Sequence, residues 1–116
     1  MKKVGIHIVI GLLLFSSCAP EMEDIPLPEP HYDDQKMIEV LVDMHLTEAL
    51  ISTQVNLSDS LSQQTEEEYQ KLFKRHQITK EGFKKNVDYL SHHMVQFSSI
   101  MDRVVDSLNV LNTTLR

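Results

Sequence analysis

Between residues 33 and 116, apolar and polar positions recur with the 3.6-residue period of amphipathic helices, and this pattern predicts four of them. The first is expected from Asp33 to Thr53, with Asp33 and Asp34 as N-cap candidates at the end of the helix dipole that favours acids. Its apolar stripe reads Ile38, Leu41, Val42, His45 and Ala49, widened by Met37, Met44 and Leu46. Asn56, Ser58, Asp59 and Ser60 break the period, which places a loop over residues 54–64. A second helix is predicted from Thr65 to His76. Thr65 and Glu68 have capping-box spacing, and Tyr69, Leu72, Phe73 and His76 form the apolar face. A third is predicted from Lys80 to Ser91, with Thr79 as N-cap and Ile78 placed to staple onto Phe83; Phe83, Val87 and Leu90 share its face. The fourth runs from Met94 to Leu111. Phe97, Met101, Val104, Leu108, Leu111 and Leu115 alternate spacings of four and three, a heptad-like seam too short for a coiled coil. No segment alternates with period two and no hairpin turn pair occurs. The expected fold class is all-α, a small bundle of about four helices over residues 33–116.

The first thirty residues follow a different pattern. Lys2 and Lys3 precede an apolar run from Val4 to Phe15, and Ser16, Ser17 and Cys18 follow it. That order is expected of a secretory signal over residues 1–17. The run is about a dozen residues, short of the roughly 20 that a spanning helix requires. Cys18 is the single cysteine, so no intramolecular disulfide can form. With the apolar run before it, Cys18 resembles the cysteine of a bacterial lipobox, with Phe15 where Leu is usual. The resemblance implies cleavage before Cys18, a diacylglycerol on its thiol and a further acyl chain, such as palmitate, on the new amine. No other cofactor is expected. Ala19 stands where Asp would signal inner-membrane retention, so the implied address is the cell envelope at the outer membrane, facing the periplasm or the cell surface. Pro20, Pro26, Pro28 and Pro30, with Glu21, Glu23 and Asp24, make residues 18–32 an acidic, semi-rigid linker. At ~3.1 Å per residue its reach would be up to ~40 Å.

Charge narrows the choice of partners. Without residues 1–17 the chain has nine Lys and Arg against 17 Asp and Glu, a net −8. Residues 18–70 hold thirteen acids and one base, Lys36. The acidity argues against nucleic acid. A basic stretch follows, and Lys71, Lys74, Arg75, Lys84 and Lys85 are candidates for contact with a partner; the alternative is pairing with the chain's own acidic half. An ordered part of about 80 residues buries a small core, which favours completion by a protein partner or a second copy.

Candidate chemistry is sparse. His45 and Glu48 stand three apart on the first helix and could share a metal, while Asp43 points elsewhere. Further ligands would have to come from His76, His92, His93 or Glu66–Glu68. The competing reading makes His45 a core residue bonded to a carboxylate or to Tyr69. His92 and His93 are adjacent, about 100° apart on a helix, which suits a turn better than a metal site. Met37, Met44, Met94 and Met101 read as core rather than as soft-metal ligands. No Gly-x-Ser-x-Gly setting is present, and Gly5, Gly11 and Gly82 are too isolated for a phosphate loop. The expectation is a non-enzymatic, protein-binding or chaperone-like accessory protein, with metal or small-ligand binding at His45 and Glu48 as the alternative.

Two stretches carry a family resemblance: Met37–Ala49, reading MIEVLVDMHLTEA, and Tyr69–Phe83, reading YQKLFKRHQITKEGF, with Tyr89–His92 as a third piece. They resemble a family of small uncharacterised lipoproteins of the Bacteroidetes, a domain of unknown function, over about residues 33–110. His93 stands where that family has a proline. The resemblance implies an envelope address and a helical fold, and no activity. The unit formed by the second and third helices also resembles, faintly, helical parts of periplasmic chaperones.

Overall fold

The computed structural model describes residues 24–53 and 61–116; the expected signal, Cys18 and residues 54–60 lie outside the described residues. Four helices follow one another: α1 (Asp34–Thr53), α2 (Leu61–Arg75), α3 (Lys80–Ser91) and α4 (Met94–Thr114). Among the described residues there is no strand, and the all-α bundle expected from periodicity is the fold. Helix α1 packs on both α2 and α4, and α3 packs on α4.

Local chemistry sets most helix ends. Asp33 caps α1, its Oδ1 accepting from the Lys36 amide at 2.7 Å. Thr79 Oγ1 accepts from the Gly82 amide at 3.0 Å at the start of α3, and Ile78 packs with Phe83 as the staple. Helix α2 ends in a Schellman turn. Gln77 takes φ 55°, Ile78 N–H donates to Phe73 C=O at 3.0 Å, and Gln77 N–H to Lys74 C=O at 3.1 Å. His92 and His93 form the α3–α4 turn; His93 N–H donates to Leu90 C=O, a bond that a proline there could not make.

Three expectations need correction. Helix α2 begins at Leu61, so residues 61–64 are helical rather than loop, and Thr65 lies inside the helix instead of capping it. Leu and Gln are good helix formers, and Glu68 is bonded to Lys71 at 2.7 Å instead of reaching back to a cap. The stripe of α1 is rotated. Met37, Ile38 and Val40 are buried and Thr47 closes the buried run, whereas His45 and Ala49 face solvent. On α4 the seam lacked Ile100, which is fully buried, while Leu111 and Leu115 at its end are exposed and the helix continues to Thr114.

The core has two parts. Met37, Ile38, Leu90, Ile100 and Val104 form one, with Tyr32, Leu41, Val42, Phe97 and Leu108 around it. Val40, Leu72 and Ile78 form the other, against Phe73 and Phe83. Polar pairs give the directions. Gln96 donates to Asp34 and Arg103 to Gln35, each at 2.7 Å, so α1 and α4 run side by side in the same direction. Lys36 Nζ reaches the His76 carbonyl at the C-terminal end of α2, so α2 runs antiparallel to α1. No helix among the described residues is long and apolar enough to cross a membrane.

Candidate functional site

His45 and Glu48 stay exposed on α1, with Nδ1 3.8 Å from Oε2. His45 is therefore neither a core histidine nor bonded to Tyr69. The Tyr69 hydroxyl donates to Glu48 Oε1 at 2.7 Å across the α1–α2 seam. Partial burial first, then that bond and the Glu48 charge, push the Tyr69 phenol up to about 12. Among the described residues no group of three or more His, Cys, Asp or Glu stands close enough to hold a metal ion. His76, His92 and His93 do not converge on the pair. His92 and His93 place Nδ1 at 2.8 Å from the Asp88 and Tyr89 carbonyls, and His93 stacks on the Tyr89 ring at 4.0 Å.

Asp43, two residues before His45, carries the principal polar contact between α1 and α2. Its Oδ2 accepts from Arg75 Nη1 at 2.7 Å and lies 2.9 Å from His76 Nε2. The basic stretch meets the chain's own acids at several points. Besides Arg75, Lys71 pairs with Glu68, which raises its ammonium pKa through the hydrogen bond, and Lys80 pairs with Glu66 at 3.3 Å. Lys85 Nζ bonds the Glu29 carbonyl at 3.3 Å, while Lys74 and Lys84 lie exposed.

The linker supplies the part of the site that sequence reasoning missed. Its second half lies along α3. The Asn86 side chain is buried; its Oδ1 accepts from the Tyr32 amide at 2.8 Å and its Nδ2 donates to the Pro30 carbonyl at 2.7 Å and the Gly82 carbonyl at 2.8 Å. One amide thus satisfies the backbone of a segment that has no helix or sheet of its own. Gly82 permits the approach: a Cβ there would overlap the Tyr32 hydroxyl and come within 3.0 Å of Pro30 Cγ. Upstream, Ile25–Pro28 line a cleft with Lys85, Asp88 and Tyr89. The available signal was Gly82 and Asn86, four apart on one face of α3 and unexplained by any apolar stripe.

Two open clefts flank α1, one along its distal half and one along its first half. One, about 450 Å³, lies between α1 and α2, with Leu46, Leu50 and Ile51 facing Gln64, Glu67 and Glu68. The other, about 380 Å³, lies between α1 and α4, where Ile38, Val42 and Leu46 meet Ser107. A small all-α bundle with a clamped N-terminal segment and an unfilled end is the class of protein that this arrangement defines. The chain belongs to the family described as Domain of unknown function (DUF4296), whose model matches residues 28–114. No curated protein and no solved structure matches it. The matched span begins at Pro28, on the segment clamped to α3, so the clamp falls within the family domain.

Proposed function

We propose that this chain is a lipid-anchored, non-enzymatic protein of the bacterial cell envelope, held at the outer membrane through Cys18, whose helical domain binds another protein. The observation that carries the binding half is the unfilled end of the bundle. No residue of α1 beyond Thr47 is buried, yet Leu46 and Leu50 continue the helix as large apolar side chains in solvent. Apolar side chains grouped around clefts mark interaction surfaces more often than singly scattered ones do. A binding role fits the polar groups better than catalysis does, because Asp43, Arg75, His76, Glu48 and Tyr69 are engaged with one another across helices.

The anchoring half rests on the N-terminal sequence, and two or three acyl chains would hold the protein stably where one would not. The clamp would then limit how far the domain stands from the bilayer. Seven peptide links separate Cys18 from Ile25, a reach of about 25 Å at most rather than ~40 Å. The test is fractionation of cells expressing the full chain, with intact mass analysis. The expected result is a membrane-associated, acylated form beginning at Cys18, and a Cys18→Ala chain in the soluble fraction. A bare thiol on a soluble native chain would overturn the anchor.

A further inference from the structure

We infer that the open end of the bundle, along the distal halves of α1 and α4, docks a basic amphipathic helix of another protein. This rests on the protein-binding reading above and names the chemistry of the partner.

The surface follows from the two parallel helices. The last buried residue is Val104 on α4 and Thr47 on α1. The face of α4 that buries Ile100 and Val104 and half-buries Leu108 continues, by helical spacing, through Leu111 and Leu115. On the distal half of α1, Leu46 and Leu50 lie four residues apart on one face. Leu50 is 65% exposed and Leu115 85%. Leu46 lines both the α1–α2 and the α1–α4 cleft, so the two clefts meet at one apolar side chain. Exposed leucines on two helices that run in the same direction offer a surface that accepts a third helix through its own apolar stripe.

Charge selects which helix. From Met44 to Gln70 the chain has five acids and no Lys or Arg, and from Val104 to Leu115 it has only Asp106. On the described surface acids therefore outnumber bases: Glu48, Glu67 and Asp106 are exposed, Arg75 at the edge of the α1–α2 cleft is paired with Asp43, and Arg116 follows Leu115. An apolar stripe flanked by Lys or Arg complements it, and an acidic helix is repelled. An anionic bilayer is disfavoured for the same reason. A second copy fits poorly. Like faces would set acid against acid, and the chain's own basic stretch, residues 71–85, offers no large exposed apolar side chain to pack on these leucines.

The first experiment titrates the purified soluble domain, as the full chain with Cys18→Ala and without its signal, with two designed helical peptides. Both have the same leucine stripe; one is flanked by Lys and the other by Glu. The Lys peptide is expected to bind, with affinity falling as salt rises, and the Glu peptide to bind at least tenfold more weakly. Leu50→Asp and Leu115→Asp should each weaken the Lys peptide at least tenfold while leaving helicity and melting temperature unchanged, since both side chains are largely exposed. Equal binding of the two peptides, no effect of either substitution, or a dimer in sedimentation that Leu50→Asp dissolves would each overturn the inference. The second experiment places a photo-crosslinking residue at Leu50 or at Lys84 in the chain in its native membrane. Crosslinks from position 50 to a Lys- or Arg-flanked amphipathic segment support the inference. Crosslinks confined to position 84 overturn it but leave protein binding standing, and an absence of protein adducts at both positions removes both.

Discussion

Tyr69 and Glu48 show how a single hydrogen bond on a partly exposed seam makes stability depend on pH. Tyr69 holds its proton in the folded chain up to about 12, against an ordinary 10.0. A folded pKa raised above the unfolded one contributes stability that is fully present below pH 10 and is lost as pH rises through 12. Stability in urea is therefore expected to fall between those limits, and Tyr69→Phe to flatten part of that fall. Lys71, raised in the same sense by Glu68, titrates in both proteins, so the difference between the two curves isolates Tyr69. Parallel curves would show that the Glu48 bond adds nothing. The residue scale was only partly legible in the sequence. Spacing places His45 beside Glu48, but it does not say which of them meets α2. That depends on the rotation of α1 about its own axis, which the core sets.

At the scale of elements, period and local capping account for α3 and most of α1, where Asp33, Thr79 and the Ile78–Phe83 staple act within a few residues of one another. Periodicity does not fix the buried stripe of α1 because this helix is apolar on more than one side; Leu46 and Leu50 blur the boundary between the buried and the open face. Adjacent valines on α4 test the assignment. Val104 is fully buried and Val105 is 51% exposed. Val104→Ala removes packed methyl groups and should cost about 2 kcal/mol, whereas Val105→Ala should stay within about 0.5 kcal/mol, both read from urea midpoints at unchanged slope. Similar losses at the two positions would mean that α4 is rotated from the orientation described here.

Across the whole molecule, the clamp joins the linker to the bundle, and Asn86 is the residue on which it turns. Asn86→Ala removes the acceptor of the Tyr32 amide and the donor to the Pro30 carbonyl. The expected loss is about 2 kcal/mol, moderated because a released segment regains water as a partner. The segment 25–32 should also become open to a non-specific protease while the helices stay resistant. Unchanged cleavage would show that the segment is held by Lys85 and the cleft at Tyr89 instead. The molecule is also electrically divided. Lys80, Lys84 and Lys85 lie on α3, the helix that takes the linker, whereas the distal halves of α1 and α4 themselves carry Glu48 and Asp106 and no Lys or Arg. A tether joining at the basic side would leave the acidic, leucine-lined end free for a partner.

The amino-acid sequence alone determined the helical class, the number of helices and the caps of α1 and α3, because these depend on side chains within one or two turns of each other. The asymmetry of charge and the single cysteine are likewise properties of composition and order. Tertiary structure alone decided the rest. It turned His45 outward, made Asp43 the partner of Arg75 and His76, folded the proline-bearing segment onto Asn86, and left Leu50 and Leu115 largely exposed. Each of these depends on which residues distant in the chain share a surface, and a helical period has no information about that: it defines a face but not what the face will meet.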